Sequence, residues 1–157
     1  MSHSDSKPSI DIEAARAVTP DLVEAFARLL PQLSSSTTSL SAEALASIIA
    51  TPGTMLLVAR DRAAGGRIVG TLTLVMFRIP TALRAWIEDV VVDTEARGRG
   101  IGEALTLAAV RLAQERGAKT IDLTSRQSRQ AAHRLYEKVG FQIRDTSVYR
   151  YGGKPAS

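Results

Sequence analysis

A glycine-rich hexapeptide, Arg97–Gly102, is the part of the sequence whose residue types and spacing are best suited to chemistry. It follows the apolar run Val90–Val92 and precedes an amphipathic segment, so it forms the turn between a predicted strand and a predicted helix. Glycines let a ligand approach the main chain closely, and the unpaired amides at a helix start attract anions. The arginines add charge and hydrogen-bond donors. The pattern predicts a phosphate site; the alternative is an Arg/Gly turn that only begins a helix.

Two familiar phosphate-binding loops do not match this hexapeptide. A dinucleotide-binding fingerprint requires G-x-G-x-x-G, whereas Gly98, Gly100 and Gly102 are spaced by two. A Walker loop ends in G-K-[ST], whereas Gly102 is followed by Glu103 and Ala104. The spacing that the sequence does show is R-x-x-G-x-G.

The composition is typical of one globular domain in a cytoplasmic protein. The chain has 157 residues, of which 45% are hydrophobic and 23% charged. No apolar stretch is long enough to span a membrane, and the polar residues 1–10 do not form a signal peptide. The absence of cysteine excludes disulfides and thiolate metal sites. His3 and His133 are the two histidines and lie far apart in the sequence, so no metal site is predicted.

The excess of positive charge favours an anionic small ligand over a nucleic acid. The net charge is +4 and the pI is about 9.8. The 20 basic residues are dispersed along the chain, and an aromatic content of 4% leaves few side chains for stacking on bases. We therefore expect neither a nucleic-acid partner nor a membrane partner.

Hydrophobic periodicity and turn residues predict the element order β-α-α-β-β-β-α-β-α-β. Residues 1–8 are expected to form a disordered tail and residues 9–152 a single domain. The predicted strands are Ser9–Glu13, Thr54–Arg60, Ile68–Phe77, Ala85–Asp93, Thr120–Thr124 and a last one within Phe141–Tyr151. The predicted helices begin near Thr19, Ser41, Gly102 and Ser128 and end at Pro31, Ala50, Arg116 and Val139. The front of this order is an antiparallel meander, and the glycine loop lies within a right-handed βαβ crossover, so the fold class is α/β (α+β).

A second motif, one strand and one turn after the glycine loop, leads to a family resemblance. Residues 132–141 read A-x-x-L-Y-x-x-x-G-F. This motif and R-x-x-G-x-G, in this order, resemble the two signatures of the GNAT superfamily of N-acetyltransferases. The resemblance covers residues 54–151. It implies a central, mixed, mostly antiparallel twisted sheet flanked by helices, with acetyl-CoA as the co-substrate and no metal.

The resemblance also implies roles for individual residues. Tyr136 matches the general acid that protonates the departing thiolate, the alternative being a core aromatic residue. The backbone N–H of Val92 matches the donor to the thioester oxygen. Arg129 stands where the family often has an asparagine that contacts pantetheine. The implied cofactor-binding set is Val91, Val92, Arg97, Gly98, Arg99, Gly100, Ile101, Gly102, Ser125, Arg129 and Tyr136.

An acidic pair before the glycine loop is the candidate acceptor site. Ile87-Glu88-Asp89 resembles the corresponding strand of glucosamine-6-phosphate N-acetyltransferases, where the acidic pair borders the sugar-amine site. A lysine-like ammonium titrates near ~10.4 and must lose a proton before it attacks a thioester. Glu88 is the predicted base, directly or through water. Glu88, Asp89 and Arg126 are the predicted substrate-binding residues.

Strand alternation and charge leave two interpretations of Glu88 open. Strict alternation places the Glu88 side chain on the same face as Val90 and Val92, with Asp89 opposite. Alternatively, Glu88 forms a structural ion pair with Arg84 or Arg126.

The sequence therefore predicts an N-acetyltransferase that moves an acetyl group from acetyl-CoA to a primary amine of a small molecule by direct attack. Family habit implies a homodimer. Two alternatives remain: a protein lysine or N-terminal acetyltransferase, and a non-catalytic acyl-CoA-binding regulatory module.

Overall fold

A computed structural model describes residues 9–36 and 39–152, so the predicted tail at residues 1–8 lies outside the described residues. Within these ranges the chain forms five strands and four helices. The strands are β1 (Ile10–Ala14), β2 (Thr54–Asp61), β3 (Arg67–Ile79), β4 (Ala82–Val92) and β5 (Thr120–Leu123). The helices are α1 (Pro20–Leu33), α2 (Ala42–Ala50), α3 (Ile101–Glu115) and α4 (Gln130–Val139).

The strands form one mixed sheet in the order β1-β2-β3-β4-β5. Neighbours from β1 to β4 are antiparallel, and β4 and β5 are parallel. Helix α3 connects the two parallel strands, as the predicted crossover requires. The predicted fold class, a mixed and mostly antiparallel sheet flanked by helices, is confirmed.

Two apolar clusters cover the two faces of the sheet. Helix α3 packs on one face, where Leu72 and Leu74 of β3 contact the cluster that contains Leu105. Helices α1 and α2 cover part of the other face, through a cluster that contains Leu29 and Leu45. Burial of these side chains removes apolar surface from water and holds the helices to the sheet.

Helix α1 extends past the position where it was predicted to end. Thr19 caps the helix as expected, accepting a hydrogen bond from the N–H of Leu22 at 3.4 Å. The helix continues through Pro31 to Leu33, and Ser34 donates its N–H to the carbonyl of Leu30. Proline in the final turn removes one amide donor, but its fixed φ is compatible with the helix.

The predicted strand within Phe141–Tyr151 is wrong, because residues 141–152 contain no strand. The side chains of Ile143 and Tyr149 are 95% and 92% exposed. Alternating apolar residues indicate strand propensity, but a strand also needs a neighbour to pair with. Within the described chain β5 pairs only with β4, so its outer edge is open.

No helix in the described ranges combines the length and apolar character needed to cross a bilayer.

Candidate functional site

A β-bulge in β4 determines which way the site residues face. The register with β3 shifts between Thr71↔Val91 and Thr73↔Glu88, so two residues of β4 lie opposite one residue of β3. Asp89, within this bulge, has a φ of 50°, a left-handed conformation that few residues other than glycine adopt. An extra residue in one strand interrupts the alternation of side chains.

The bulge corrects the predicted orientation of Glu88. Ile87, before the bulge, packs in the cluster under α3, and so do Val90 and Val92 after it. Val91 packs in the cluster under α1. Glu88 therefore does not share a face with Val90 and Val92, because the extra residue reverses the alternation at this point.

Glu88 is exposed and is oriented by an aromatic neighbour on its own strand. The indole Nε1 of Trp86 donates a hydrogen bond to Glu88 Oε1 at 2.8 Å. Glu88 forms no ion pair with Arg84 or Arg126. Its carboxylate thus has a fixed direction and free acceptor capacity, as an ammonium-binding group requires.

Beyond Ile87, the side of β4 that faces β5 has no paired strand, and we call this unpaired stretch the slot. The parallel pairing ends at Ile87↔Leu123, although β4 continues to Val92. Asp93 donates its N–H to the carbonyl of Val69 in β3. Because backbone groups alternate in direction along a strand, the N–H of Val92 is directed away from β3 and into this slot. Val91 is buried beneath α1. Its backbone N–H and C=O groups are directed toward β3 and therefore away from the slot.

The glycine loop leaves its backbone amides free. The N–H groups of residues 97–103 donate to no acceptor in the part of the chain that the structure describes. The last three of these amides begin α3 and carry the positive end of its dipole. Free amides at a helix start attract anions, which is the chemistry predicted for the loop.

The three loop glycines serve different purposes. Gly98 and Gly100 have φ angles of +80° and +74°, and a Cβ on either would meet no atom within 4 Å. Gly102 has an ordinary φ, but a Cβ there would lie 3.0 Å from Leu135 Cδ1. Gly98 and Gly100 thus shape the turn and leave room beside it, whereas Gly102 lets α4 pack against α3. Ile101, between them, is buried in the core.

Arg99, predicted to bind phosphate, is held by an acidic residue at the end of β2. Its Nη1 lies 2.7 Å from Asp61 Oδ2, and its Nη2 donates to Ser9 Oγ at 3.1 Å. The Asp61 side chain is 7% exposed, and the guanidinium of Arg99 keeps the pKa of this carboxyl below its usual value. The side chain of Arg99 therefore anchors the loop to the sheet.

A second ion pair holds the other end of the loop. Asp93 is buried, and its Oδ2 lies 2.7 Å from Arg28 Nη1 of α1. Gln32 accepts a hydrogen bond from the N–H of Thr94 at 2.9 Å. Burial raises the pKa of Asp93, but hydrogen bonds from the Glu95 N–H and from Arg28 outweigh it, so the net shift is downward. The loop is thus fixed at both ends.

Sequence reasoning missed these anchoring residues, Asp61, Asp93, Arg28 and Gln32. Asp61, Arg28 and Gln32 lie far from the loop in sequence, and Asp93, just before the loop, has its partner Arg28 65 positions away, so the residue types alone gave no indication of the pairing. The one available signal was that Asp61 ends a strongly apolar strand, where a buried charge requires a partner.

Three other predicted arginines form no ion pair within the described ranges: Arg97, Arg126 and Arg129. Arg97 lies in the glycine loop, and the other two lie before α4. Because β4 and β5 are parallel, the loops after them lie at the same edge of the sheet. These cations therefore add positive charge to the edge of the sheet at which the free amides lie.

Tyr136 lies on the side of α4 that packs toward the molecule. Its ring contacts Phe141 edge-on, with centroids 6.0 Å apart. Burial raises the pKa of the phenol, partly offset by the nearby charge of Arg129. A raised pKa keeps the hydroxyl protonated, as a proton donor must be. Near it, the Ser125 hydroxyl oxygen is buried without a hydrogen-bond partner and lines the same groove as Tyr136.

The described residues bring together no group of three or more histidine, aspartate or glutamate side chains that could hold a metal ion. His133 instead contacts the carbonyl of Arg126, with its Nε2 at 2.8 Å. It helps to shape the turn before α4.

The fold and the anion-binding loop agree with a comparison against known families. The chain belongs to the acetyltransferase (GNAT) family, whose model matches residues 20–141.

Curated relatives match part of the chain. A stretch of 71 residues is 38% identical to N-alpha-acetyltransferase 30 of Schizosaccharomyces pombe, covering 45% of this chain and 47% of that protein. A stretch of 59 residues is 44% identical to the mycothiol acetyltransferase of Nocardiopsis dassonvillei, covering 38% of this chain and 18% of that protein. The matched region spans less than half the length of either relative.

Solved structures match most of the chain. A putative acetyltransferase from Agrobacterium tumefaciens is similar with a TM-score of 0.79 and 26% identity, over 90% of this chain and 99% of that one. Glucosamine-6-phosphate N-acetyltransferase from Arabidopsis thaliana is similar with a TM-score of 0.74 and 21% identity, over 90% and 99% of the two chains. At 21% identity, the similarity to the Arabidopsis thaliana enzyme shows only a shared fold.

Proposed function

We propose that residues 9–152 form an acetyl-CoA-dependent N-acetyltransferase domain that acetylates a primary amine of a small molecule. The observation that carries this proposal is the row of free amides at residues 97–103, fixed at both ends and lying at an edge of the sheet that also carries arginines without an ion pair in the described ranges. Such a loop suits the pyrophosphate of acetyl-CoA. The open space beside Gly98 and Gly100 gives the phosphates access to the backbone.

The slot between β4 and β5 is the proposed place of reaction. Acetyl-CoA supplies the acetyl group as a thioester. The Val92 N–H is directed into the slot and donates a hydrogen bond to the thioester oxygen. Tyr136, kept protonated by its raised pKa, gives its proton to the sulfur as the carbon–sulfur bond breaks.

The acceptor amine approaches from the face that carries Trp86 and Glu88. Glu88 takes the proton that the ammonium loses, directly or through water, and the amine nitrogen then bonds to the acetyl carbon. As the carbon–sulfur bond breaks, the nitrogen loses its second proton to water and Tyr136 regains from water the proton that it gave to the sulfur, so one proton is released overall. The hydrogen bond from Trp86 fixes the direction of this carboxylate. Asp89, on the neighbouring bulge, adds negative charge that attracts a cation.

The proposal is tested by release of free thiol from acetyl-CoA with a panel of acceptors. The panel contains polyamines, aminoglycosides, amino acids, glucosamine 6-phosphate and a histone-type peptide. Turnover of one small amine is expected. Turnover of the peptide alone would refute the small-molecule acceptor, and acetyl-CoA binding without any turnover would support the non-catalytic module.

One comparison favours a second acceptor class, the N-terminus of a protein. The relative that is 38% identical over 71 residues is named an N-alpha-acetyltransferase. Peptides with a free N-terminal amine therefore belong in the panel, with N-terminally blocked copies as the control. Glucosamine 6-phosphate tests a narrower hypothesis, in which Arg126 or Arg129 binds the acceptor's phosphate.

A further inference from the structure

Part of the sheet face opposite α3 is accessible to a ligand. Ala85 and Ile87 of β4 pack in the cluster under α3, so Trp86 and Glu88, which alternate with them, lie on the opposite face. Helices α1 and α2 pack on that face through a separate apolar cluster, to which Trp86 does not belong. Trp86 is half-buried and Glu88 is exposed. The two side chains therefore lie on a surface that a small molecule can reach.

The neighbours of Trp86 on β3 are apolar. The register places Val75 directly opposite Trp86, and Phe77 lies two residues farther along β3. On one sheet face, opposite Cβ atoms lie about 5 Å apart and diagonal neighbours about 7–8 Å, within reach of an aromatic ring. Neither Val75 nor Phe77 packs in the two apolar clusters, and Phe77 is 41% exposed. We call Val75, Phe77 and Trp86 the apolar platform.

The apolar platform adjoins the carboxylate that is proposed to receive the acceptor's proton. The indole Nε1 of Trp86 donates a hydrogen bond to Glu88 Oε1 at 2.8 Å. A strand rises about 3.4 Å per residue, so the Cα atoms of Trp86 and Glu88 are roughly 7 Å apart. Glu88 begins the slot, and Trp86 lies two residues farther from it along β4. An amine held at Glu88 with its nitrogen toward the slot therefore places its neighbouring carbons over the apolar platform.

We propose that Trp86 determines which amines are acetylated, by binding a ring or a similarly compact carbon body attached to the acceptor's amino group. This inference rests on the proposed function, because it concerns the acceptor of that reaction. The substrate class is a primary amine whose neighbouring carbons present an apolar face, as in an aralkylamine or an amino sugar. Trp86 is a specificity-determining residue through its ring and a positioning residue for Glu88 through its Nε1–H.

The indole is prepared for this contact before the acceptor binds. The hydrogen bond to Glu88 fixes one edge of the ring, so little side-chain freedom remains to be lost on binding. Because the N–H lies at the edge, this bond leaves the faces of the ring available. Such faces pack against C–H groups and attract a neighbouring ammonium. A short amine covers little of the apolar platform and gains less from these contacts.

The charges around Trp86 select against a carboxylate beside the amino group. Asp122 of β5 pairs with Trp86 and lies on the same face, so Asp122 and Glu88 flank the indole. Asp122 forms no ion pair within the described ranges. Arg84 lies beyond Trp86, about 13 Å along the strand from Glu88. An amino acid would bring its own carboxylate into this negative field, whereas an amine without one is attracted by it.

Trp86 is the one tryptophan of the chain, so its fluorescence reports binding to the apolar platform without any acetyl transfer. The protein is saturated with CoA and titrated with phenethylamine, glucosamine, ethylamine and glycine. At least one ring-bearing amine should change the emission saturably, with a Kd on the order of tenfold below those of ethylamine and glycine. The first two titrations distinguish an aromatic body from a sugar. A Kd for both ring-bearing amines no lower than that of ethylamine would overturn the proposal, and so would the absence of any change.

A matched pair of variants tests the apolar platform while Trp86 remains as the reporter. Phe77 and Leu107 are both 41% exposed, but Leu107 lies on α3, which packs on the other face of the sheet. Phe77→Ala should raise the Kd of the ring-bearing amine on the order of fivefold, whereas Leu107→Ala should leave it unchanged. Calorimetric titration with CoA checks that both variants keep their cofactor affinity. Equal amine Kd values in the two variants would refute the contribution of Phe77 and with it the apolar platform.

Two substitutions of Trp86 separate its two roles in turnover. Trp86→Phe keeps an aromatic face but lacks the Nε1–H, so kcat should fall about tenfold while KM for the amine changes little. Trp86→Leu lacks both, so its KM should rise as well. A wild-type kcat in Trp86→Phe contradicts the positioning role, and a wild-type KM in Trp86→Leu contradicts the specificity role. Absence of acetyl transfer by the wild type would count against the proposed function alone, because the fluorescence titrations measure binding.

Discussion

The two arginines of the glycine loop have the same charge but different neighbours. Arg97 forms no ion pair within the described part of the chain, whereas Arg99 is bound to Asp61 at 2.7 Å. A guanidinium whose donors already bind a buried carboxylate has few left for a ligand. Arg97 is therefore the loop side chain suited to contact phosphate, and Arg99 is a positioning residue.

Replacing Asp61 should loosen the loop without removing any ligand contact. We expect Asp61→Asn to weaken acetyl-CoA binding on the order of tenfold, less than the ~10²-fold that a displacement of 1 Å costs at a reacting centre. Calorimetric titration measures the Kd. Asp11→Asn is the matched control, because Asp11 pairs with Arg62 on the surface at 3.2 Å and forms no ion pair with the loop. Equal affinities of the Asp61 variant and the wild type would contradict the anchoring role.

The hydroxyl of Tyr136 can be removed while its ring stays in place. We expect Tyr136→Phe to lower kcat by roughly 10²–10⁴-fold with little change in the Kd for acetyl-CoA, because only the proton donor is lost. Burial raises the Tyr136 pKa above its ordinary value of 10.0, so the alkaline fall in wild-type kcat that reports this group should lie above pH 10.0. An unchanged kcat with the best acceptor of the panel would leave Tyr136 as a packing residue.

At the scale of elements, features that depend on residues close together in the sequence could be predicted, whereas features that depend on long-range contacts could not. The loop, the caps at Thr19 and Ser41 and the packed side of α4 follow from residues within a few positions of one another. The bulge at Asp89 does not, because it depends on the register of β3 against β4. A period-two pattern assumes that no residue is inserted, and this assumption produced the wrong face for Glu88.

The start and the end of α3 allow a matched test of the loop. Gly100 and Gly117 both have left-handed backbones, with φ of +74° and +83°, and open space around a Cβ. Valine at either position costs about 1–2 kcal/mol in backbone strain. Gly100→Val should also fill the space in front of the free amides and abolish acetyl-CoA binding, whereas Gly117→Val should retain it. Thermal unfolding checks that the two variants lose similar stability, and binding by both would exclude the loop as the pyrophosphate site.

For the whole molecule, the carboxylates that form ion pairs with arginines should set its response to acid. The pKa values of Asp21, Glu24, Asp61 and Asp93 are all lowered in the folded state. Their contribution to stability is complete above the unfolded values of 3.8 for aspartate and 4.5 for glutamate, and it is lost as the pH falls through the lower folded values.

The Asp93→Asn variant isolates one of these contributions. It lacks the charge at every pH, so its free energy of unfolding should lie below that of the wild type at neutral pH. The difference should shrink below pH 3.8, as Asp93 of the wild type becomes protonated. Urea unfolding across this range measures the two free energies. A difference that stays constant down to about pH 2 would show that the pairing with Arg28 does not depend on charge.

The two ion pairs that fix the glycine loop connect it to elements that are synthesised before it. They join residues that are 38 and 65 positions apart, Asp61 to Arg99 and Arg28 to Asp93. During synthesis α1 and β2 emerge before the loop, so the partners of the loop already exist when it leaves the ribosome. A peptide that begins after β2 would contain both sequence signatures and every free amide, yet nothing would hold those amides in one direction. The two sequence signatures that identify such a domain are therefore not sufficient for binding. The binding unit also includes α1 and β2, which are synthesised first.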